Sequence, residues 1–150
     1  MTPAELEHYL HAHIPISGPL GVRVAAASAA AVQLAAPLAP NLNHRETAFG
    51  GSLSAVAILA GWSLLRLRLG DGFRGRLVIQ THTMEYVAPA EADFVAECLP
   101  PDAAAWEEFT AALERRGRAR VELTARVTVG GTLVARSVGR YVAIAGEPEG

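Results

Sequence analysis

The chain has 150 residues, 51% of them hydrophobic and 19% charged, with a formal net charge of -2. That length suits one domain, residues 1–150, with a real core, and the near-neutral charge excludes the strongly basic footprint of a duplex nucleic-acid binder. One cysteine, Cys98, excludes an intramolecular disulfide framework and fits a reducing cytoplasm.

Thr2-Pro3-Ala4-Glu5 is a capping box with proline at the first helical position, and Leu6, Leu10 and Ile14 follow at helical spacing until Pro15 and Gly18-Pro19 stop the helix. Glu5, Glu7 and His8 stand where a secretory signal would place positive charge and then an apolar run. Leu20–Ser28 and Ala31–Pro37 read as strands weakened by alanine, and Pro37–Thr47 as a loop. Gly50-Gly51 opens a helix from about Ser52 to Leu67 that is apolar nearly all round, so it should be buried on every side. The uncharged apolar run Phe49–Leu65 is shorter than the ~20 residues of a membrane span, and no membrane association is expected.

Leu77–Val87 and Ala92–Leu99 read as the next strands. Asp102 caps a short helix with Trp106, Phe109 and Leu113 on one face and Gly117 at its end. In Arg118–Val129 small and apolar residues alternate strictly with polar ones, Gly130-Gly131 forms a two-residue hairpin turn, and Thr132–Ile144 returns as the last strand. The fold class is therefore α+β: an antiparallel sheet of about six strands wrapped around a central apolar helix.

Asn41-Leu42-Asn43-His44-Arg45-Glu46-Thr47-Ala48-Phe49-Gly50-Gly51-Ser52-Leu53 resembles the signature of hotdog-fold thioesterases. More narrowly, it resembles the YiiD C-terminal type of thioesterase domain. His13-Ile14-Pro15-Ile16-Ser17, Leu20-Gly21-Val22, Leu38-Ala39-Pro40-Asn41, Leu59-Ala60-Gly61-Trp62 and Tyr86-Val87-Ala88-Pro89 extend the likeness over nearly the whole chain. The resemblance implies a hotdog fold, a homodimer or a dimer of dimers with sheets joined edge to edge, and an acyl-CoA or acyl carrier protein thioester as substrate. It implies no cofactor.

Thioester hydrolysis needs donors for the oxyanion, an aimed water and a base. Backbone N–H groups around Gly50, Gly51 and Ser52 can supply the donors, although a glycine pair also serves as a packing turn. Asn43 lies six residues before Phe49, where related thioesterases carry an asparagine that positions water or substrate; asparagine is equally a turn residue. Phe49 replaces the histidine of the relatives' His-Gly-Gly motif, and Thr47 and Phe49 join Gly50 and Ser52 as expected substrate contacts. The helix acid of those relatives is Ile58 here, and no acidic residue occurs from Gly50 to Leu69. His44, Glu46, His82 and Glu85 are the substitute bases within reach of a hotdog site; His44 comes first, since a histidine titrates near neutrality, and Glu46 and Glu85 follow. On the third strand Thr83 and Glu85 share one face and His82, Met84 and Tyr86 the other; Thr83 and Glu85 are expected to meet substrate, and His82 to be an ordinary packed histidine. Cys98 reads as an inert mid-strand thiol. His8, His11 and His13 do not share one helical face, and no metal is expected. Arg115, Arg116, Arg118 and Arg120 read as solvated charge, with coenzyme A phosphates or an acidic carrier as the other reading. The alternative function is a non-catalytic acyl-thioester binding domain, for which the missing helix acid argues; a dehydratase or hydratase would need a His–Asp/Glu pair that the sequence lacks.

Overall fold

The computed structural model describes residues 1–146. The elements are α1 (Pro3–His13), β1 (Arg23–Ser28), β2 (Ala31–Ala36), α2 (Gly50–Leu69), β3 (Gly75–Tyr86), β4 (Phe94–Cys98), α3 (Ala103–Arg116), β5 (Arg118–Val129) and β6 (Thr132–Ala145). The six strands form one antiparallel sheet in the order β1-β2-β4-β5-β6-β3. It wraps α2 in the hotdog arrangement that the sequence predicts.

Local chemistry accounts for the element ends. Thr2 and Glu5 form the reciprocal capping box of α1. Asp102 accepts the Ala105 N–H at α3, and Gly117 ends that helix at φ 66°. Gly130 and Gly131, at φ 54° and 83°, make the β5–β6 turn in the conformation that matches strand twist. β1 starts at Arg23 rather than Leu20, because turns through Gly18 and Gly21 take up the backbone of residues 18–22.

Ala119, Val121, Leu123, Ala125 and Val127 of β5 face inward and pack with Leu53, Val56, Leu64 and Leu65 of α2 in one hydrophobic cluster. Tyr141 on β6 reaches α2 as well: its hydroxyl donates to Ile58 O at 3.0 Å, and its ring fills the notch at Gly61. A Cβ at Gly61 would lie 2.6 Å from Tyr141 Cζ. Gly61→Ala is therefore expected to destabilise by about 1–3 kcal/mol through overpacking, measured as a lower urea midpoint.

The sheet edges differ. α1 covers β1: Glu7 accepts the Val24 N–H at 2.8 Å and His11 Nε2 donates to Val22 O at 2.8 Å. β3, 12 residues long, pairs only with β6 among the described residues, so its other edge is an open row of backbone donors and acceptors. Burial of α2 on every side is accordingly not observed. Ser54, Ile58 and Trp62, four residues apart, form a half-buried stripe. Two of them contact β3, Trp62 donating to Leu77 O and Ser54 meeting His82. α2 is long and apolar enough to cross a membrane by length and composition, but ten of its residues are buried in the protein.

Candidate functional site

The loop between β2 and α2 is held by two asparagines. Asn41 is buried and donates through Nδ2 to Leu20 O and Pro37 O at 2.9 and 2.7 Å, while its backbone carbonyl accepts the Phe49 N–H at 2.7 Å. Sequence reasoning assigned it no role beyond the motif. Asn43 Oδ1 accepts from Arg45 N and Thr47 N at 2.8 and 3.2 Å, and its Nδ2 donates to Thr47 Oγ1 and Ala48 O at 2.9 and 3.4 Å. Every donor and acceptor of that amide is thus engaged within the loop. As placed, the residue braces the chain that delivers Gly50. Asn43→Ala is expected to cost about 1–2 kcal/mol and to open the loop of residues 43–48 to limited proteolysis.

Thr47 serves the same brace, its hydroxyl accepting from Asn43. His44 and Glu46 stand exposed, and Glu46 adopts the left-handed conformation (φ 61°) at the turn. Neither contacts Gly50 or Gly51 through a hydrogen bond.

At the start of α2, Phe49 O accepts the N–H groups of Ser52 and Leu53 at 2.9 and 3.2 Å. Ser52 is buried at the foundation of the helix. The N–H groups of Gly50 and Gly51 find no acceptor among the described residues. They sit at the positive end of a 20-residue helix with no acid in its first turn. Two aromatic rings flank them. A Cβ on Gly51 would collide with the Phe49 ring, and one on Gly50 would come 3.1 Å from Tyr86 Cζ, whose hydroxyl donates to Gly50 O at 2.9 Å. Phe49 and Tyr86 are 57% and 53% exposed, and Leu42 and Val87, which are adjacent in the chain to this region, are exposed too. Phe49 and Tyr86 make an apolar surround for the two free donors.

β3 settles which of its faces meets α2. Thr83 and Glu85, the expected substrate contacts, lie on the outer face, and Glu85 grips Arg136 of β6 through two hydrogen bonds of 2.9 and 3.0 Å. Alternation alone allowed either face. The inner face carries His82, Met84 and Tyr86. His82 Nδ1 lies 3.2 Å from Ser54 Oγ, whereas Nε2 is buried without a partner. Burial lowers the ring's pKa below its ordinary 6.5. Ser54 was missed in the sequence; its signal was its place on the same helix face as Ile58, one turn earlier.

The remaining candidates lie elsewhere. Cys98 ends β4, fully buried, and burial pushes its thiol up to about 12, which removes it as a nucleophile near neutral pH. His11 and His13 are engaged with Val22 O and Tyr9 O. Arg116, Arg118 and Arg120 border a groove between α3 and the outer face of β5 that also carries Glu108 and Glu122, across the sheet from Gly50.

A family model described as "Putative thioesterase (yiiD_Cterm)" matches residues 3–145. Among solved structures, a protein of unknown function from Chlorobaculum tepidum TLS superposes with a TM-score of 0.88 at 28% identity, covering 97% of this chain and 98% of that one. A "putative thioesterase" from Shewanella oneidensis gives 0.81 at 27% identity over 95% and 96% of the two chains. A Pseudomonas aeruginosa protein described as a "probable thioesterase" gives 0.81 at 27% identity over 96% and 97%.

Proposed function

We propose, from the premise that this chain belongs to the YiiD C-terminal thioesterase family, that it is a hydrolase of acyl thioesters carried on coenzyme A or an acyl carrier protein. The observation that carries this reading is the pair of free N–H groups on Gly50 and Gly51 at the start of a helix wrapped by the sheet. As water adds to a thioester carbonyl, negative charge gathers on the carbonyl oxygen. Two fixed donors and the helix dipole favour that charge more than they favour the neutral carbonyl. Glycine at both positions lets the substrate come close, and Phe49 and Tyr86 offer apolar walls to the carbons beside the thioester.

The unpaired edge of β3 and the half-buried stripe Ser54–Ile58–Trp62 support a homodimer. A second β3 laid antiparallel along the first would satisfy the open backbone groups and cover the stripe. A buried, unpaired Cys98 fits a reducing cytoplasm.

The second reading, a binding domain that holds an acyl thioester without cleaving it, rests on the lack of any carboxylate along α2. Thiol release from short, medium and long acyl-CoAs and from an acylated carrier protein separates the two. Turnover on any of them, retained in the purified protein and proportional to its concentration, supports hydrolysis. Binding without thiol release supports the second reading.

A further inference from the structure

Water attacking a thioester must give up a proton as its oxygen bonds to carbon. The helix facing the site offers no carboxylate for this. On the half-buried stripe of α2, one turn before Ile58, it offers Ser54, whose Oγ lies 3.2 Å from His82 Nδ1 on the edge strand. The core has no use for an imidazole at this position. Leu77, Ile79 and Met84 fill the same inner face of β3 with apolar side chains, whereas His82 buries a ring nitrogen that nothing satisfies.

We propose that Ser54 and His82 are the proton-handling pair of this site and take the place of the absent helix carboxylate, an inference that rests on the thioesterase reading above. The water oxygen forms a bond to the carbonyl carbon, and the carbonyl π electrons move onto the oxygen held by the Gly50 and Gly51 N–H groups. The water passes one proton to Ser54 Oγ while the Ser54 hydroxyl proton moves to Nδ1 of His82, leaving an imidazolium. When the intermediate collapses, the C=O bond re-forms and the C–S bond breaks. The departing thiolate takes the proton back through the same hydroxyl. One thioester and one water become one carboxylic acid and one thiol, with no change of oxidation state. Ser54 touches the reacting water and is the catalytic residue; His82 acts through it as a positioning residue.

The surroundings set the sign of the pH dependence. The inner-face neighbours of His82 are Met84 and Tyr86 on β3, Ser137, Gly139 and Tyr141 on β6, and Ser54 on α2. Tyr86 and Tyr141 are the titratable groups among them, and their hydroxyls are engaged with Gly50 O and Ile58 O. The charged pairs Glu85–Arg136 and Glu122–Arg140 lie on the other face of the sheet. Burial therefore dominates and lowers the ring's pKa. The neutral ring is present above that lowered value, and activity falls as pH drops through it, at a pH below 6.5.

The test is steady-state thiol release across pH, on the acyl thioester that wild type turns over fastest, for Ser54→Ala, Ser54→Thr, His82→Asn and His44→Ala. The expected result is a kcat loss of about 10²–10⁴-fold in Ser54→Ala and His82→Asn with KM nearly unchanged. The acidic limb of the wild-type profile should vanish in both, and Ser54→Thr, which keeps a hydroxyl, should restore most of the rate. Rates unchanged in Ser54→Ala and His82→Asn overturn the pair, as does a loss found only in His44→Ala. An acyl group trapped on Ser54 and detected by mass spectrometry overturns the direct-water route. A wild-type protein that releases no thiol from any carrier overturns the thioesterase reading itself, and the pair with it.

Discussion

Gly50→Pro is expected to lower kcat about 10²–10³-fold while leaving the protein folded. Proline at the first position of a helix deletes an N–H that no intrahelical carbonyl could accept, and its fixed φ suits that turn. The residue before a proline must be extended, and Phe49 already is, at φ -59° and ψ 131°. The substitution thus removes one of the two free donors without asking the backbone to change. It does add carbon beside Tyr86, which a Cβ at Gly50 would approach to 3.1 Å. Tyr86 is half-exposed and can give by a few tenths of an ångström. Gly50→Ala separates the two effects, since it brings the same Cβ and keeps the N–H. A kcat far lower in Gly50→Pro than in Gly50→Ala assigns the loss to the missing donor. Equal losses in both assign it to crowding and remove the Gly50 N–H from the oxyanion site.

Phe94→Ala should carry the largest stability cost, about 3–5 kcal/mol, against a total of roughly 5–15 kcal/mol for a domain of this kind. Phe94 is fully buried at the start of β4, in the middle of the sheet. Its cross-strand partner is Ala36, and Ala96 stands two residues on along the same face. Only 6% of the chain is aromatic, and alanines are poor at closing a cavity left by a phenyl ring. Urea unfolding should show a lower midpoint at an unchanged slope. A shift of less than about 1 kcal/mol would mean that α2 settles onto the sheet to fill the space.

The two predictions act on different aspects of the fold. Phe94 belongs to the cluster that seats α2 in the sheet. Gly50 belongs to the one end of α2 whose backbone donors the fold leaves open. A helix packed into the sheet and unsatisfied at one terminus keeps free donors at that terminus.

What the sequence determined by itself is what depends on neighbours along the chain. Steric and hydrogen-bonding preferences act over a few residues, so the capping box at Thr2 and Glu5, the Gly117 stop, the Gly130-Gly131 turn and the strand Arg118–Val129 lie where local pattern places them. The lack of a polar face also marks α2 as the element to be wrapped, and two-residue alternation marks Arg118–Val129 as a strand that wraps it. The resemblance carried by residues 41–53 covers the loop and helix start on which the proposed site is built. Only the tertiary structure decided which side chains there remain free to act. Period-two alternation says that β3 has two faces but not which of them meets the helix, so Thr83 and Glu85 turned outward and His82 inward. A composition of Asn, His, Glu and Thr in one loop does not say which hydrogen bonds close among themselves, and Asn43 proved fully engaged. The meeting of Ser54 with His82 spans 28 residues. It exists because β3 pairs with β6 rather than with its chain neighbour β4, a long-range choice made by burial of the whole sheet and written in no local pattern.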